Sequence, residues 1–246
     1  MSASSPADFP PPGGPPEGGW IDASVLLAPG TPEWPGDTPY ACGWTARIAG
    51  GSSVNLSSFT LSPHVGTHAD APLHVDDAWA ASDALPAAAY VGACVVLDVS
   101  DLAAGAAADG PGAIERAELD ARARAQGVAL HGAARLLLRT GRTVADGRFP
   151  DAWPWLTPSC VRSLAAAGLR LLGVDAPSVD ARESRDLATH RALFAASAHN
   201  LENLDLRAAP PGGYELVAPP LRLAGLDGAP VRALLRPTAA APARSR

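Results

Sequence analysis

The chain has 246 residues and a mass of 25.0 kDa, a length that suits one domain with a continuous core. Its formal net charge of -6 argues against nucleic acid or a membrane surface as a partner. All 19 basic residues are arginines, which excludes lysine-dependent chemistry such as a Schiff base to pyridoxal phosphate or a phosphate-binding loop ending in Gly-Lys.

The predicted elements begin after a proline- and glycine-rich stretch, residues 1–19, which we predict to be a disordered tail because it offers little to bury. From Trp20 onward, short apolar runs bounded by Pro and Gly predict strands over residues 21–27, 54–61, 92–99, 135–140 and 169–174. Helices are predicted over residues 114–126, between Thr157 and Gly168, and over residues 185–198.

This order of elements, strands first and then strands alternating with helices, predicts an α/β domain with a mixed sheet and flanking helices. We place that domain at residues 20–236 and a flexible C-terminal tail at residues 237–246. The three cysteines are far apart, which disfavours a disulfide framework or a thiolate zinc site. The sequence shows no signal peptide or membrane-spanning stretch, so a cytoplasmic protein is expected.

One segment, residues 64–74 with the sequence HVGTHADAPLH, concentrates histidines and predicts a functional site. Pro63, Gly66 and Pro72 disfavour a helix here, whereas an extended stretch would place His68 and Asp70 on the same side. Two imidazoles and a carboxylate suit Zn²⁺ or Mn²⁺ better than Ca²⁺ or Mg²⁺. The alternative is that these histidines are unrelated core or surface residues, but crowded polar groups are costly unless something ties them together.

This segment resembles the His-x-Gly-Thr-His-x-Asp-x-Pro-x-His signature of the metal-dependent cyclase-like hydrolases. The similarity extends to the bacterial kynurenine formamidases within that family, on three further segments: TPEWPGDTPY at residues 31–40, GVDAPSVD at residues 173–180, and His190 with LENL at residues 201–204. The resemblance implies a swivelling β/β/α cyclase-like fold. It also implies a homodimer or higher homo-oligomer and a small aryl formamide as substrate.

The resemblance also implies a binuclear site with two divalent ions, Zn²⁺ or Mn²⁺, and a role for each matching residue. His64, His68 and Asp70 resemble ligands of the first ion, with Asp70 also reaching the second. His190 resembles a ligand of the second ion, and Glu202 a bridging carboxylate. His74 resembles the catalytic proton donor and acceptor, and Trp34 a residue that contacts the substrate.

The chemistry of these residue types fits the hydrolysis of N-formyl-L-kynurenine to L-kynurenine and formate. Divalent ions lower the pKa of water from 15.7 to about 7, which provides a hydroxide nucleophile. The departing aryl nitrogen needs a proton, for which His74 is the candidate. Two alternatives stay open: a related amidase that acts on another aryl amide or cyclic imide, and a metal-binding protein without turnover, which would have no use for His74.

The sequence does not assign a single role to four further residues. Asp175 either orients a metal-binding histidine or forms a turn. Trp153 and Trp155 either line the mouth of the site or pack a loop. His199 receives no role.

Overall fold

The computed structural model describes residues 19–104, 106–107 and 110–238. The two predicted tails, residues 1–19 and 237–246, lie outside the described residues except for Gly19, Pro237 and Thr238. The α-helices are α1 Arg116–Gln126, α2 Pro158–Ala166 and α3 Ala188–Ala195. The strands are β1 Ile21–Asp22, β2 Ala41–Ala46, β3 Leu56–Thr60, β4 His68–Asp70, β5 Val91–Asp98, β6 Ala106–Ala107, β7 Gly110–Pro111, β8 Ala113–Ile114, β9 Arg135–Arg139, β10 Trp155–Leu156, β11 Leu171–Val174, β12 His199–Leu201, β13 Gly212–Val217, β14 Gly228–Pro230 and β15 Leu234–Pro237.

A seven-stranded mixed sheet forms the centre, with the strand order β1-β15-β13-β5-β9-β11-β12. The pairs β5–β9, β9–β11 and β11–β12 are parallel, whereas the pairs β1–β15, β15–β13 and β13–β5 are antiparallel. This confirms the predicted α/β class with a mixed sheet. Strands β9 and β11 read as continuous apolar runs because parallel strands are covered on both faces.

Each face of the sheet has its own hydrophobic core. On one face, Leu136 and Leu172 pack with apolar residues of α1, α2 and α3. On the other face, Leu137 and Leu171 pack with Ala69 of β4 and with loop residues. The second face therefore carries β4, the strand at the centre of the predicted histidine segment.

Two of the predicted helices begin later than expected. Helix α1 begins at Arg116 because Ala113–Ile114 pairs in parallel with Trp155–Leu156 as a short ladder. Helix α3 begins at Ala188 because Leu187 has a left-handed backbone, with φ of 48°, which cannot continue a helix. Helix α2 follows the prediction, since Thr157 Oγ1 accepts a hydrogen bond from the Cys160 amide at 3.2 Å.

Two of the predicted strands also differ from expectation. The run at residues 21–27 keeps only Ile21–Asp22 in the sheet. The run at residues 54–61 forms β3, which pairs with β2 in a separate antiparallel hairpin rather than joining the central sheet. Within the part of the chain that is described, none of the helices is long and apolar enough to cross a membrane.

Candidate metal centre

The histidine segment is built around β4, whose main chain is bonded on both edges. β4 pairs with β14 on one edge, with Gly228 opposite Asp70. On the other edge, His68 and Glu202 exchange both main-chain hydrogen bonds, at 3.2 and 3.0 Å. Because side chains alternate along a strand, His68 and Asp70 face one side and Ala69 enters the core on the other, as the sequence predicts.

Two glycines allow the backbone to approach these residues closely. Gly66 has a left-handed φ of 70°, and a Cβ there would lie 2.5 Å from the Leu27 side chain. A Cβ on Gly228 would lie 3.0 Å from the His64 ring, so only glycine leaves room for His64 against β14. The glycines thus bring His64 to the same side as His68 and Asp70.

His190 reaches the cluster from the first turns of α3 and is held there by Asp180. The Asp180 carboxylate accepts hydrogen bonds from the amides of Thr189 and His190, at 2.8 and 3.0 Å. The same carboxylate lies 2.6 Å from His190 Nδ1. A carboxylate that binds Nδ1 fixes the ring orientation and leaves Nε2 to face the site, as outer carboxylates do for metal-binding histidines.

The side chains of these elements converge on Asp70 and Glu202. His190 Nε2 lies 3.0 Å from Asp70 Oδ2 and 3.1 Å from Glu202 Oε1. His68 Nε2 lies 3.2 Å from Asp70 Oδ1 and 3.6 Å from Glu202 Oε2. His64 Nδ1 lies 2.8 Å from Asp70 Oδ1. The structure therefore brings together all five residues that the sequence predicts as metal ligands.

The nitrogen and oxygen atoms that converge in this cluster suit a divalent cation as ligands. His68 Nδ1 lies 2.9 Å from the Gly66 carbonyl oxygen, which can only accept, so Nδ1 is the protonated nitrogen. His68 Nε2 and Asp70 Oδ1 are buried, and neither has a hydrogen-bond partner among the described residues. When His68 Nε2 carries no proton, its lone pair and that of Asp70 Oδ1 need a cation between them, and imidazole with carboxylate is the ligand set of Zn²⁺ and Mn²⁺.

The pKa shifts show the same demand for positive charge. Burial opposes the charged form of His64, but Asp227 and Asp70 outweigh burial and raise the pKa of His64 to about 10. Burial likewise opposes charge on His68, and Asp70 outweighs it, raising the pKa to about 9. Burial favours a neutral Asp70, but the neighbouring histidines hold the pKa of its carboxyl well below the usual range. The cluster keeps its carboxylates ionised and attracts cations.

His74 lies beside this cluster, in a 3₁₀ turn over Pro72–His74 that follows β4. Its ring centroid lies 4.4 Å from that of His64 and 5.8 Å from that of His190. His74 Nδ1 and His64 Nε2 lie 3.3 and 2.9 Å from Asp227 Oδ2, respectively. These two hydrogen bonds lower the pKa of Asp227, although burial opposes the shift. His74 is partly exposed, unlike His68 and His190.

A cavity of about 340 Å³ opens onto the cluster and has an aromatic wall. Trp34 and Phe149 both line it, and their rings meet edge to face with centroids 5.4 Å apart. Trp153 is buried behind them, 6.1 Å from each ring. A cavity with one apolar aromatic wall and one polar, titratable wall is typical of a small-molecule site.

Sequence reasoning gave no role to four residues that the structure places in or against the site: Phe149, Asp180, Asn200 and Asp227. Asn200 Nδ2 donates to Asp70 Oδ2 at 2.5 Å and to Glu202 Oε1 at 3.2 Å. Its spacing of two from Glu202, the residue that follows β12, was a usable signal, since alternate residues of an extended chain share a face. Asp227 offered none, because it reaches His64 from a loop distant in sequence.

The contacts of Asp175 and Trp153 bear on their open alternatives. Asp175 accepts hydrogen bonds from the amides of Thr140 and Gly141, at 2.7 and 3.1 Å, so it stabilises the loop after β9. Burial raises the pKa of Asp175 to about 6. Trp153 is buried and donates its indole N–H to the Asp180 carbonyl at 2.7 Å, so it packs a loop. His199 lies in β12 with its ring 5.7 Å from Tyr90, and nothing assigns it a role.

This chain is similar to known proteins in sequence and in fold. The model of a family described as "Putative cyclase" matches residues 21–181. The chain belongs to the cyclase family. Kynurenine formamidase of Salinibacter ruber is 43% identical over 218 residues, covering 88% of this chain and 96% of that protein. Kynurenine formamidase of Bacillus cereus is 40% identical over 220 residues, covering 89% and 97%.

Solved structures similar to this cyclase-family chain include two hydrolases. One is described as a potential metal-dependent hydrolase with cyclase activity, with a TM-score of 0.69 and 25% identity, covering 89% of this chain and 98% of that chain. The other, isatin hydrolase A from Labrenzia aggregata bound to benzyl benzoate, has a TM-score of 0.72 and 26% identity, covering 89% and 94%. The predicted cyclase-like fold is confirmed by these likenesses.

Proposed function

We propose that this protein is a metal-dependent arylformamidase that hydrolyses N-formyl-L-kynurenine to L-kynurenine and formate. The observation that carries the proposal is the convergence of His64, His68, His190, Asp70 and Glu202 at one end of a cavity with an aromatic wall. The similarity to kynurenine formamidases along nearly their whole length supports the same substrate.

We propose that the cluster holds two divalent ions, Zn²⁺ or Mn²⁺. Two overlapping groups of possible ligands, His64 with Asp70 and His74, and His68 with Asp70 and Glu202, share Asp70. Each group keeps its ligand atoms within 4.8 Å of one another. Five ligands are too many for one catalytic ion that also needs an open position. When bound, such ions supply positive charge that lowers the pKa of water and polarises a carbonyl group.

The side chains of this protein then divide the work of hydrolysis. Asp70 and Glu202 would bind the positively charged ions, while Asp180 keeps Nε2 of His190 directed towards them. Water adds to the formyl carbon, the C–N bond breaks, and the arylamine nitrogen leaves with a proton. We assign that proton transfer to His74, which lies at the edge of the cluster and is accessible from the cavity.

The substrate range tests the proposal. N-formylkynurenine is expected to be turned over with a higher kcat/KM than an aliphatic formamide, because Trp34 and Phe149 offer a face for an aryl ring. Isatin, which has an aryl ring but a cyclic amide, tests the alternative substrate class. Trp34→Ala should lower kcat/KM for N-formylkynurenine about tenfold, the effect of losing an aromatic contact and its buried area. Steady-state kinetics with all three substrates measures both.

The control for this test is Trp20→Ala, which removes a tryptophan that contacts Arg236 outside the cavity. It should leave kcat/KM within about twofold of the wild-type value, as expected of a surface change. A higher kcat/KM for isatin than for N-formylkynurenine would favour the alternative, an amidase for cyclic amides. Isatin is chosen for this comparison because of the similarity to isatin hydrolase A.

We propose that the protein is a homodimer formed through the β2–β3 hairpin. The hairpin is exposed almost throughout, and it presents Trp44 and Phe59 at 57% and 64% exposure. Isolated hairpins are marginal in water, and exposed apolar patches of this kind mark interfaces. Light scattering should give the mass of a dimer for the wild type and of a monomer for a Trp44→Ser, Phe59→Ser double variant. A wild-type monomer would contradict the proposal.

We also propose the cytoplasm as the location. The thiols of Cys42, Cys94 and Cys160 are all free, and free thiols are typical of a reducing compartment.

A further inference from the structure

Two oppositely charged side chains, Arg185 and Asp37, line the cavity on segments that contribute no ligand to the metal centre. Arg185 lies in the loop between β11 and α3, and Asp37 lies in the loop between β1 and β2. Among the described lining residues, Arg185 is the one side chain other than histidine that carries positive charge. Both charged side chains therefore line the cavity without a part in the proposed hydrolytic chemistry.

Arg185 differs from the neighbouring arginines in having no ion-pair partner among the described residues. Arg182 pairs with Asp151 at 2.9 Å and lies over the Phe149 ring. Arg191 lies 3.7 Å from Asp76 and donates to the Asp186 carbonyl. An uncommitted guanidinium at the wall of a cavity is available to a ligand.

The loop that carries Arg185 is held in place by its own hydrogen bonds. The Ser184 amide donates to the Ala181 carbonyl at 3.0 Å, and the Leu187 amide donates to Ser184 Oγ at 3.2 Å. Leu187 itself has the left-handed backbone that begins α3. These hydrogen bonds hold the loop against the cavity.

Asp37 is placed by a turn in which its amide donates to the Trp34 carbonyl at 2.9 Å. One carboxylate oxygen accepts the Thr38 amide at 2.6 Å, and among the described residues no cationic side chain pairs with Asp37. The turn therefore places a half-buried carboxylate beside the aromatic residue proposed to hold the aryl ring.

We propose that Arg185 binds the α-carboxylate of the substrate and Asp37 binds its α-ammonium group. The inference rests on the proposed function, because N-formylkynurenine carries an amino-acid end in addition to its formamide. A guanidinium matches a carboxylate with two parallel hydrogen bonds, and a carboxylate suits an ammonium group. This pair makes the enzyme selective for aryl formamides that carry an amino acid, and selects against cyclic aryl amides that lack one.

The test compares N-formylkynurenine with formanilide, which has the aryl formamide but no amino-acid end. The quantity measured is the ratio of kcat/KM for the two substrates in the wild type, Arg185→Gln and Asp37→Asn. We expect each variant to lower this ratio about tenfold or more, the loss typical of a hydrogen bond to a charged group. Arg162→Gln, an exposed arginine on α2, is the matched control and should keep the wild-type ratio.

A second readout uses competitive inhibition by the product L-kynurenine and by 2-aminoacetophenone, which lacks the amino-acid end. Only the inhibition constant for L-kynurenine should rise in the two variants. An unchanged ratio in both variants, while the wild type hydrolyses N-formylkynurenine, would overturn the assignment and leave the proposed function standing. A wild type that does not hydrolyse N-formylkynurenine would overturn the proposed function and this assignment together.

Discussion

Replacement of Asp70 by asparagine is expected to remove the bound metal and abolish turnover. Asp70 is the residue that all three cluster histidines approach, at 2.8, 3.2 and 3.0 Å. The substitution keeps the shape of the side chain but removes one negative charge and places an N–H₂ group among the ligands. Elemental analysis should find two ions per chain in the wild type and none in Asp70→Asn, with kcat/KM lowered by more than the roughly 100-fold caused by losing an outer partner.

The matched control is Asp180→Asn, which changes a carboxylate that touches His190 Nδ1 rather than the cluster interior. It should weaken metal affinity by about 10- to 100-fold while metal still binds at saturation. Full metal occupancy in Asp70→Asn would contradict the proposed ligand set. Saturation of the wild type at one ion per chain would contradict the binuclear model.

Replacement of His74 by asparagine is expected to lower kcat by roughly 10²-fold to 10⁴-fold, the usual contribution of a positioned acid or base, with metal content near that of the wild type. The two readouts are needed because the His74 ligand atoms also lie within 4.8 Å of those of His64 and Asp70. A proton donor and a metal ligand would occupy similar positions here. Bound metal and kcat should therefore be measured on the same preparation.

His131→Asn is the control for this experiment, since His131 is exposed and lies in a turn before β9. Its kcat should match that of the wild type. Metal lost from His74→Asn in proportion to activity would identify His74 as a ligand instead. A metal-saturated His74→Asn with near-normal turnover would move the proton transfer to another group.

The parts of the site that follow from local spacing could be predicted from the sequence. His68 and Asp70 are two residues apart, and the period of a strand alone puts them on one side. The buried strands β9 and β11 were predictable from continuous apolar runs, because parallel strands are covered on both faces. Thr157 and Pro158 marked the start of α2 through the chemistry of a helix N-terminus.

The parts that depend on contacts between distant segments could not be predicted in this way. Asp227 approaches His64 from 163 positions away, and no local pattern distinguishes it from other loop aspartates. The late start of α3 depends on Leu187, whose left-handed backbone is unfavourable for leucine and is not predictable from its helix preference. The placement of residues 54–61 in an exposed hairpin is likewise a tertiary outcome, because an apolar run does not say which sheet it joins.

The site combines β4 with residues that lie far later in the chain, so its two halves are synthesised at different times. His190 and Asp227 follow Asp70 and His64 by 120 and 163 positions, so a ribosome completes the first half of the site long before the second. An emerging chain offers only the first histidines and Asp70, a weak and open chelator. We therefore expect the proposed metal centre to bind its ions tightly only after the segment that carries His190 and Asp227 has been synthesised and folded.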